Sequence, residues 1–309
     1  MRSTFRNFVA KNIKHGIMGF WKTLFGGTEE SPAEEKKNAE ARNFDLLKYD
    51  GVKAMRIGQF DYAVKCFREA LKIQEDLEVR DYLQQALARN GQIPEAIREL
   101  EVMSKAQPDN ASLLLHTARL AFMEEDYALM AAVCQKAEEL DADNALVHYL
   151  YAQACIGQGD LIGGIARLTK AIALDEEMLD ARLLRGQTLL KMGELKGAQE
   201  DVDYLLAHTE GQEDVLLLAA RLAHASGNDD LAIDTYGQVI DVNPFQIDAY
   251  RERGKLRYDA GDKQGAEEDM QKVLELNPQE MADVSGDYSA EGIEQRVRQA
   301  YSNLNPFGI

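Results

Sequence analysis

The sequence predicts an all-α chain in which antiparallel helix pairs stack into a solenoid. The first observation behind this is a turn that recurs seven times. Its copies are Gly58-Gln59-Phe60, Gly91-Gln92-Ile93, Glu125-Asp126-Tyr127, Gly159-Asp160-Leu161, Gly193-Glu194-Leu195, Gly227-Asn228-Asp229 and Gly261-Asp262-Lys263. The first interval is 33 residues and the other five are 34. A fixed period of this length marks a repeat array. Glycine suits the turn because helices commonly end in the left-handed region, where a Cβ would clash. The second observation is that small residues keep the same phase: Ala63, Ala96, Gly164, Ala198, Ala232 and Ala266 lie five after the turn, and Gly51, Ala118, Ala152, Gly186, Ala220 and Gly254 seven before it. Small residues at fixed places on two consecutive helices let those helices approach closely. The third is an apolar series nine past the turn (Phe67, Leu100, Cys134, Leu168, Val202, Tyr236, Met270), followed three later by Ala70, Met103, Ala137, Ala171, Leu205, Val239 and Val273.

The elements follow in order. Residues 1–27 carry Arg2, Arg6, Lys11, Lys14 and Lys22 and no acid, a side-chain charge of +5, which leaves −23 for the rest of a chain whose net charge is −18. Phe5, Phe8, Ile13, Ile17, Trp21 and Leu24 recur at helical spacing, and Gly26-Gly27 close the stretch. A basic amphipathic helix of this kind fits a membrane surface or a partner's groove. Met18-Gly19 offers an alternative translation start, with a short myristoylation-like pattern behind it. Residues 28–43 read as a charged linker and capping helix, with Ser31 as cap, Pro32 at the first helical position and Glu34 at the third. That helix is expected from about Pro32, either separate from or continuous with the first helix of repeat one, and is expected to shield the apolar end of the stack.

The repeats occupy 44–280, in steps of about 44–76, 77–110, 111–144, 145–178, 179–212, 213–246 and 247–280. Pro108, Pro244 and Pro278 fall just beyond second helices, where proline stops a helix. Residues 281–309 read as a loop, a C-terminal capping helix from Ser289 with Ile293, Val297, Ala300, Tyr301 and Leu304 on one face, and a tail.

The pattern of small, glycine, alanine, aromatic, alanine and proline resembles that of the tetratricopeptide repeat (TPR) family in type and spacing. The resemblance covers about 44–280. The third repeat departs at Glu125 and Met130, the second at Gln84, and the first, fourth and fifth lack the terminal proline. The resemblance implies a right-handed superhelix with terminal capping helices. It also implies a concave face lined by the first helix of each repeat, where a peptide or partner helix binds. Carried onto this sequence, that face runs through Arg119, Phe122, Met123, Tyr149, Gln153, Ile156, Leu183, Gln187, Leu190, Arg221, Arg251 and Lys255. Repeats one and two offer the more polar Asp45, Lys48, Arg56, Glu78, Asp81, Gln85 and Arg89. An exposed apolar strip marks an interaction site.

Composition narrows the function. An excess of 53 acids over 35 bases argues against nucleic acid, which needs a cationic surface to displace counterions. The three cysteines, Cys66, Cys134 and Cys155, fall at or beside packing positions and read as reduced apolar thiols, which suits the cytoplasm. No apolar run reaches the length of a membrane span. The five histidines show no metal spacing, and no cofactor is expected. Gly157, Gly159, Gly163 and Gly164 lack a P-loop lysine and a preceding strand, and repeat phase explains two of them. No general acid–base pair stands out, so no catalytic residue is assigned. The reading is a non-enzymatic scaffold or adaptor that binds protein or peptide. One alternative is a peripheral membrane assembly factor tethered by 1–27. Another is a chaperone cofactor, weakened because Val52 and Tyr82 stand where its carboxylate clamp has asparagine. Partner identity and oligomeric state are not encoded in any of these patterns.

Overall fold

The computed structural model describes residues 31–277. Among them are fourteen α-helices and no strand. They are α1 (Pro32–Arg56), α2 (Phe60–Ile73), α3 (Leu77–Arg89), α4 (Ile93–Ala106), α5 (Ala111–Met123), α6 (Tyr127–Leu140), α7 (Ala145–Gly157), α8 (Leu161–Leu174), α9 (Leu179–Lys191), α10 (Leu195–His208), α11 (Glu213–Ala225), α12 (Asp229–Val242), α13 (Ile247–Asp259) and α14 (Lys263–Leu276). They pair in the expected phase, each first helix ending at the recurring turn. The chain divides into two compact units, residues 1–105 and 106–309. The C-terminal capping helix and the amphipathic stretch 1–27 lie outside the described residues.

The turn is a Schellman motif in all seven copies. Its second-helix-side amide closes a bond five residues back, as in Glu194 N to Leu189 O at 2.9 Å, while the turn residue itself bonds three back, as in Gly193 N to Leu190 O at 2.9 Å. Every turn residue has positive φ, from 55° at Glu125 to 88° at Gly261. A Cβ on any of the six turn glycines would meet nothing within 4 Å. Glycine is therefore there for its backbone, not for space. Glu125 makes the same two bonds, to Phe122 O at 3.1 Å and, through the Asp126 amide, to Ala121 O at 2.9 Å. The next residue also starts the following helix: Asp126, Asp160, Asn228 and Asp262 accept from amides of α6, α8, α12 and α14 with their side chains.

The small positions are the helix contacts. Ala63, Ala96, Ala118, Ala152, Ala198, Ala220, Ala232 and Ala266 are fully buried. A Cβ on Gly51 would lie 2.5 Å from the Phe67 ring, and one on Gly186 3.0 Å from Leu218. The two departures are accommodated rather than expelled. Met130 is buried, and Gln84 is buried with its amide nitrogen donating to Asp81 at 3.0 Å and its Oε1 without a hydrogen-bond partner among the described residues.

The helix expected from Pro32 is present, opened by a capping box: Glu34 N donates to Ser31 Oγ at 3.3 Å and Ser31 N to Glu34 Oε2 at 2.7 Å. Its expected shielding role is corrected. Residues 32–56 are one continuous helix, so the N-terminal half prolongs the first helix of the array and cannot fold back across it. Leu46 and Tyr49 remain 58% and 66% exposed.

Candidate partner-binding face

All twelve residues of the expected face lie in the unit 106–309, on first helices: α5, α7, α9, α11 and α13. Within it α5 packs beside α7, and α9 beside α11. This follows from the period, which returns each first helix to the same side.

The twelve divide by environment. Arg119, Phe122, Met123 and Gln187 are exposed, Phe122 by 42% and Met123 by 64%. Phe122 meets Tyr127 edge-on with ring centroids 6.2 Å apart. Tyr127 is seated where Gly157 leaves room, since a Cβ there would fall 2.4 Å from its ring. Tyr149, Gln153, Ile156 and Leu183 are half-buried. Tyr149 packs on the cores of two successive pairs and accepts from the Gln153 amide at 3.3 Å. Burial, with the Asp180 carboxylate nearby, pushes its phenol up.

Two expectations change meaning. Leu190 is buried beside Ala198, Val202, Leu218 and Leu222, so it belongs to the core. Arg221 is tied into the fold: its Nε lies 3.0 Å and its Nη2 2.6 Å from carboxylate oxygens of Glu252 on α13. Glu252 is itself buried and also accepts from the Tyr236 hydroxyl. Burial and this carboxylate keep the Tyr236 phenol protonated far above its usual range. Arg251 lies 2.6 Å from Asp248, and Lys255 is half-buried. The cationic end of the expected face is thus half-buried, with Arg221 and Arg251 held in ion pairs within the chain.

Sequence reading missed Glu252, Asp201 and Asp269, three buried carboxylates. A signal existed for two of them. Arg185 and Asp201 stand eight before and eight after their turn, and Arg253 and Asp269 hold the same places two periods on.

In the unit 1–105 the polar residues expected on the face engage each other. Lys48 Nζ lies 2.6 Å from Glu78, which also accepts from the Tyr82 hydroxyl at 3.1 Å, and Gln85 donates to Asp81 at 2.8 Å. Glu78 raises the Lys48 ammonium above its ordinary value. Tyr82 stacks on Phe67 with centroids 5.7 Å apart. An aromatic packed there leaves no asparagine-like donor for a carboxylate clamp. Among the described residues no group of three or more His, Cys, Asp or Glu could hold a metal, and no helix is long and apolar enough to cross a membrane.

Comparison with known proteins agrees with this architecture. The tetratricopeptide repeat family model matches residues 85–145 and 217–280. A mouse (Mus musculus) protein, DnaJ homolog subfamily C member 3, is 34% identical over 74 residues, 24% of this chain and 15% of that relative, so the chain spans only a small part of it. A tetratricopeptide repeat protein from Parabacteroides merdae superposes with a TM-score of 0.64 at 16% identity, over 85% of this chain and 100% of that one. PilW, a type IV pilus biogenesis factor, gives 0.60 at 19% identity, over 72% and 98%. YrrB, described as having an unusual peptide-binding site, gives 0.50 at 16% identity, over 64% and 97%. At these identities the structures share the fold. With seven helix pairs in one phase and a Schellman turn in each, the chain has the tetratricopeptide-repeat fold.

Proposed function

We propose that this protein is a non-enzymatic adaptor, and that it holds a peptide or partner helix on the α5–α7–α9 face of the unit 106–309. The observation that carries this is the pair Phe122 and Met123, large apolar side chains left 42% and 64% exposed beside the exposed Arg119. Aromatic and arginine side chains dominate many interfaces. Half-buried Tyr149, Gln153 and Ile156 on α7 give the same face a floor with both apolar surface and an amide. Arg221 is not a contact in this reading, because Glu252 occupies it.

The test is selection of a random peptide library against the full chain, with selected peptides re-measured against Arg119→Ala, Phe122→Ala and Met123→Ala. Each true anchor should cost ~2 kcal/mol, roughly thirty-fold in affinity. Peptides that bind all three variants as tightly as the parent would place the site elsewhere.

A further inference from the structure

Within each unit, a first helix that follows another pair is covered at two positions by the second helix of that pair. Those positions lie twelve and nine residues before the turn. Ala181 packs on Leu168, Ala171 and Ile172 of α8, with Leu184 against the same cluster. Leu150 packs on Met130, Val133 and Cys134 of α6, and Leu218 on Ala198 and Val202 of α10. Ala249 packs on Tyr236 and Val239 of α12. In the unit 1–105, Val79 is fully buried and Tyr82 stacks on Phe67 of α2. The same two positions of the first pair are Leu46 and Tyr49. They are the most exposed of their series, at 58% and 66%. No described helix precedes α1, and its own N-terminal half is a prolongation of the same helix. A terminal repeat ordinarily needs a polar outer face. This one presents a leucine and a tyrosine in the register of a buried contact.

We propose that the Leu46–Tyr49 face of α1 is the docking site for this chain's own residues 1–25, which supply the second helix that α3, α7, α9, α11 and α13 each have in front of them. The segment joins α1 directly through Gly26-Gly27 and four further residues, and the wide backbone range open to two glycines permits an antiparallel return. As a helix, its 25 residues span about 37 Å, enough to run alongside the 25 residues of α1. Phe5, Phe8, Ile13, Ile17, Trp21 and Leu24 form its apolar stripe. Its charge of +5 faces a remainder of −23, and Asp45 and Asp50 flank the docking residues. The tether raises its local concentration above that of any free competitor.

Trp21 is the chain's single tryptophan, so its fluorescence reports on the segment alone. The experiment compares acrylamide quenching of Trp21 in the full chain and in Leu46→Glu/Tyr49→Glu. Neither residue is packed into the core of the described helices, so the variant keeps a cooperative thermal melt at the parent's midpoint or within a few degrees of it. Quenching severalfold weaker in the parent than in the variant, at every protein concentration, supports docking. Ile13→Ser/Ile17→Ser must release Trp21 in the same way from the other side of the contact. Equal quenching in parent and variant, whether strong or weak, overturns the proposal. So does protection that disappears on dilution together with a dimer, which would make a second copy the occupant. Protection that arises only with anionic vesicles overturns it in favour of a membrane contact.

Discussion

Arg185 holds the buried carboxylate of Asp201 with two hydrogen bonds, Nε to Oδ2 at 2.8 Å and Nη2 to Oδ1 at 2.7 Å. The Asp201 side chain is 1% exposed, and its hydrogen bonds hold the guanidinium still more firmly in its charged form. Two periods later Arg253 grips Asp269 in the same geometry, at 3.0 and 2.6 Å. Each pair ties the first helix of a repeat to its second. The repeat between them has Ala219 and Thr235 instead, and the Thr235 hydroxyl satisfies itself on Leu231 O at 2.7 Å. In these three repeats the two places are filled together, by an ion pair or by a small residue with a self-satisfied hydroxyl.

That alternation makes a test. Arg185→Ala alone leaves a buried carboxylate with only Arg182 near it, at 3.9 Å. It should cost about 3 kcal/mol, since removing one partner of a buried pair leaves an uncompensated charge. Arg185→Ala/Asp201→Thr copies the neighbouring repeat and should recover more than half of the loss. Urea denaturation followed by circular dichroism measures both; a double variant no better than the single one would contradict the account.

Glu125 is the only non-glycine with positive φ among the described residues. Its left-handed backbone carries a cost that glycine avoids, so Glu125→Gly should stabilise the protein by ~1 kcal/mol. Gly193→Ala, at φ 78° with open space around the new Cβ, should lose about as much for the same reason. Thermal melts of the two variants should move in opposite directions.

Gly51 and Gly186 are needed for space. Gly51→Ala drives a methyl to 2.5 Å from a Phe67 ring already stacked on Tyr82, and Gly186→Leu overfills the contact with Leu218 and Asp201. Each should cost roughly 1–3 kcal/mol. An unchanged urea midpoint in either would mean that the helices part there without penalty.

Cys134 provides a pH signature. Burial, and then the neighbouring Cys155, push its thiol up to about 12 from an ordinary value of 9.0. The folded chain therefore keeps a proton that the unfolded chain releases. The associated stability is complete below pH 9 and is lost as pH rises toward 12, with a slope of at most ~1.4 kcal/mol per pH unit. Cys134→Ala should flatten that part of the stability profile. In the parent at pH 8, maleimide should label the half-buried Cys155 ahead of Cys134.

Much of the fold was legible because its requirements are local. A residue that ends a helix in the left-handed region must lack a Cβ or bear its steric cost, and glycine announces it at six of the seven turns, Glu125 being the exception. The same holds for Ala152 or Gly186, whose size limits how closely two helices meet. Legibility of the face was partial. Phase placed Phe122, Met123 and Arg119 on first helices and they are exposed there, but phase assigned Leu190 and Arg221 the same status, and the first is core while the second is consumed by Glu252.

The sequence alone determined the helix pairs, their order and the side of each helix that meets its partner, because a period of 34 residues imposes one backbone solution on every repeat. Only the tertiary structure decided which side chains of that common frame remain open to solvent. Equivalent positions share a backbone environment, but each is covered by a side chain half a repeat to a whole repeat away in the chain. Glu252 meets Arg221 from 31 residues on, and Phe67 covers Tyr82, whereas no described helix covers Tyr49. Exposure depends on the neighbour as much as on the position, and the neighbour's side chain lies outside any local pattern.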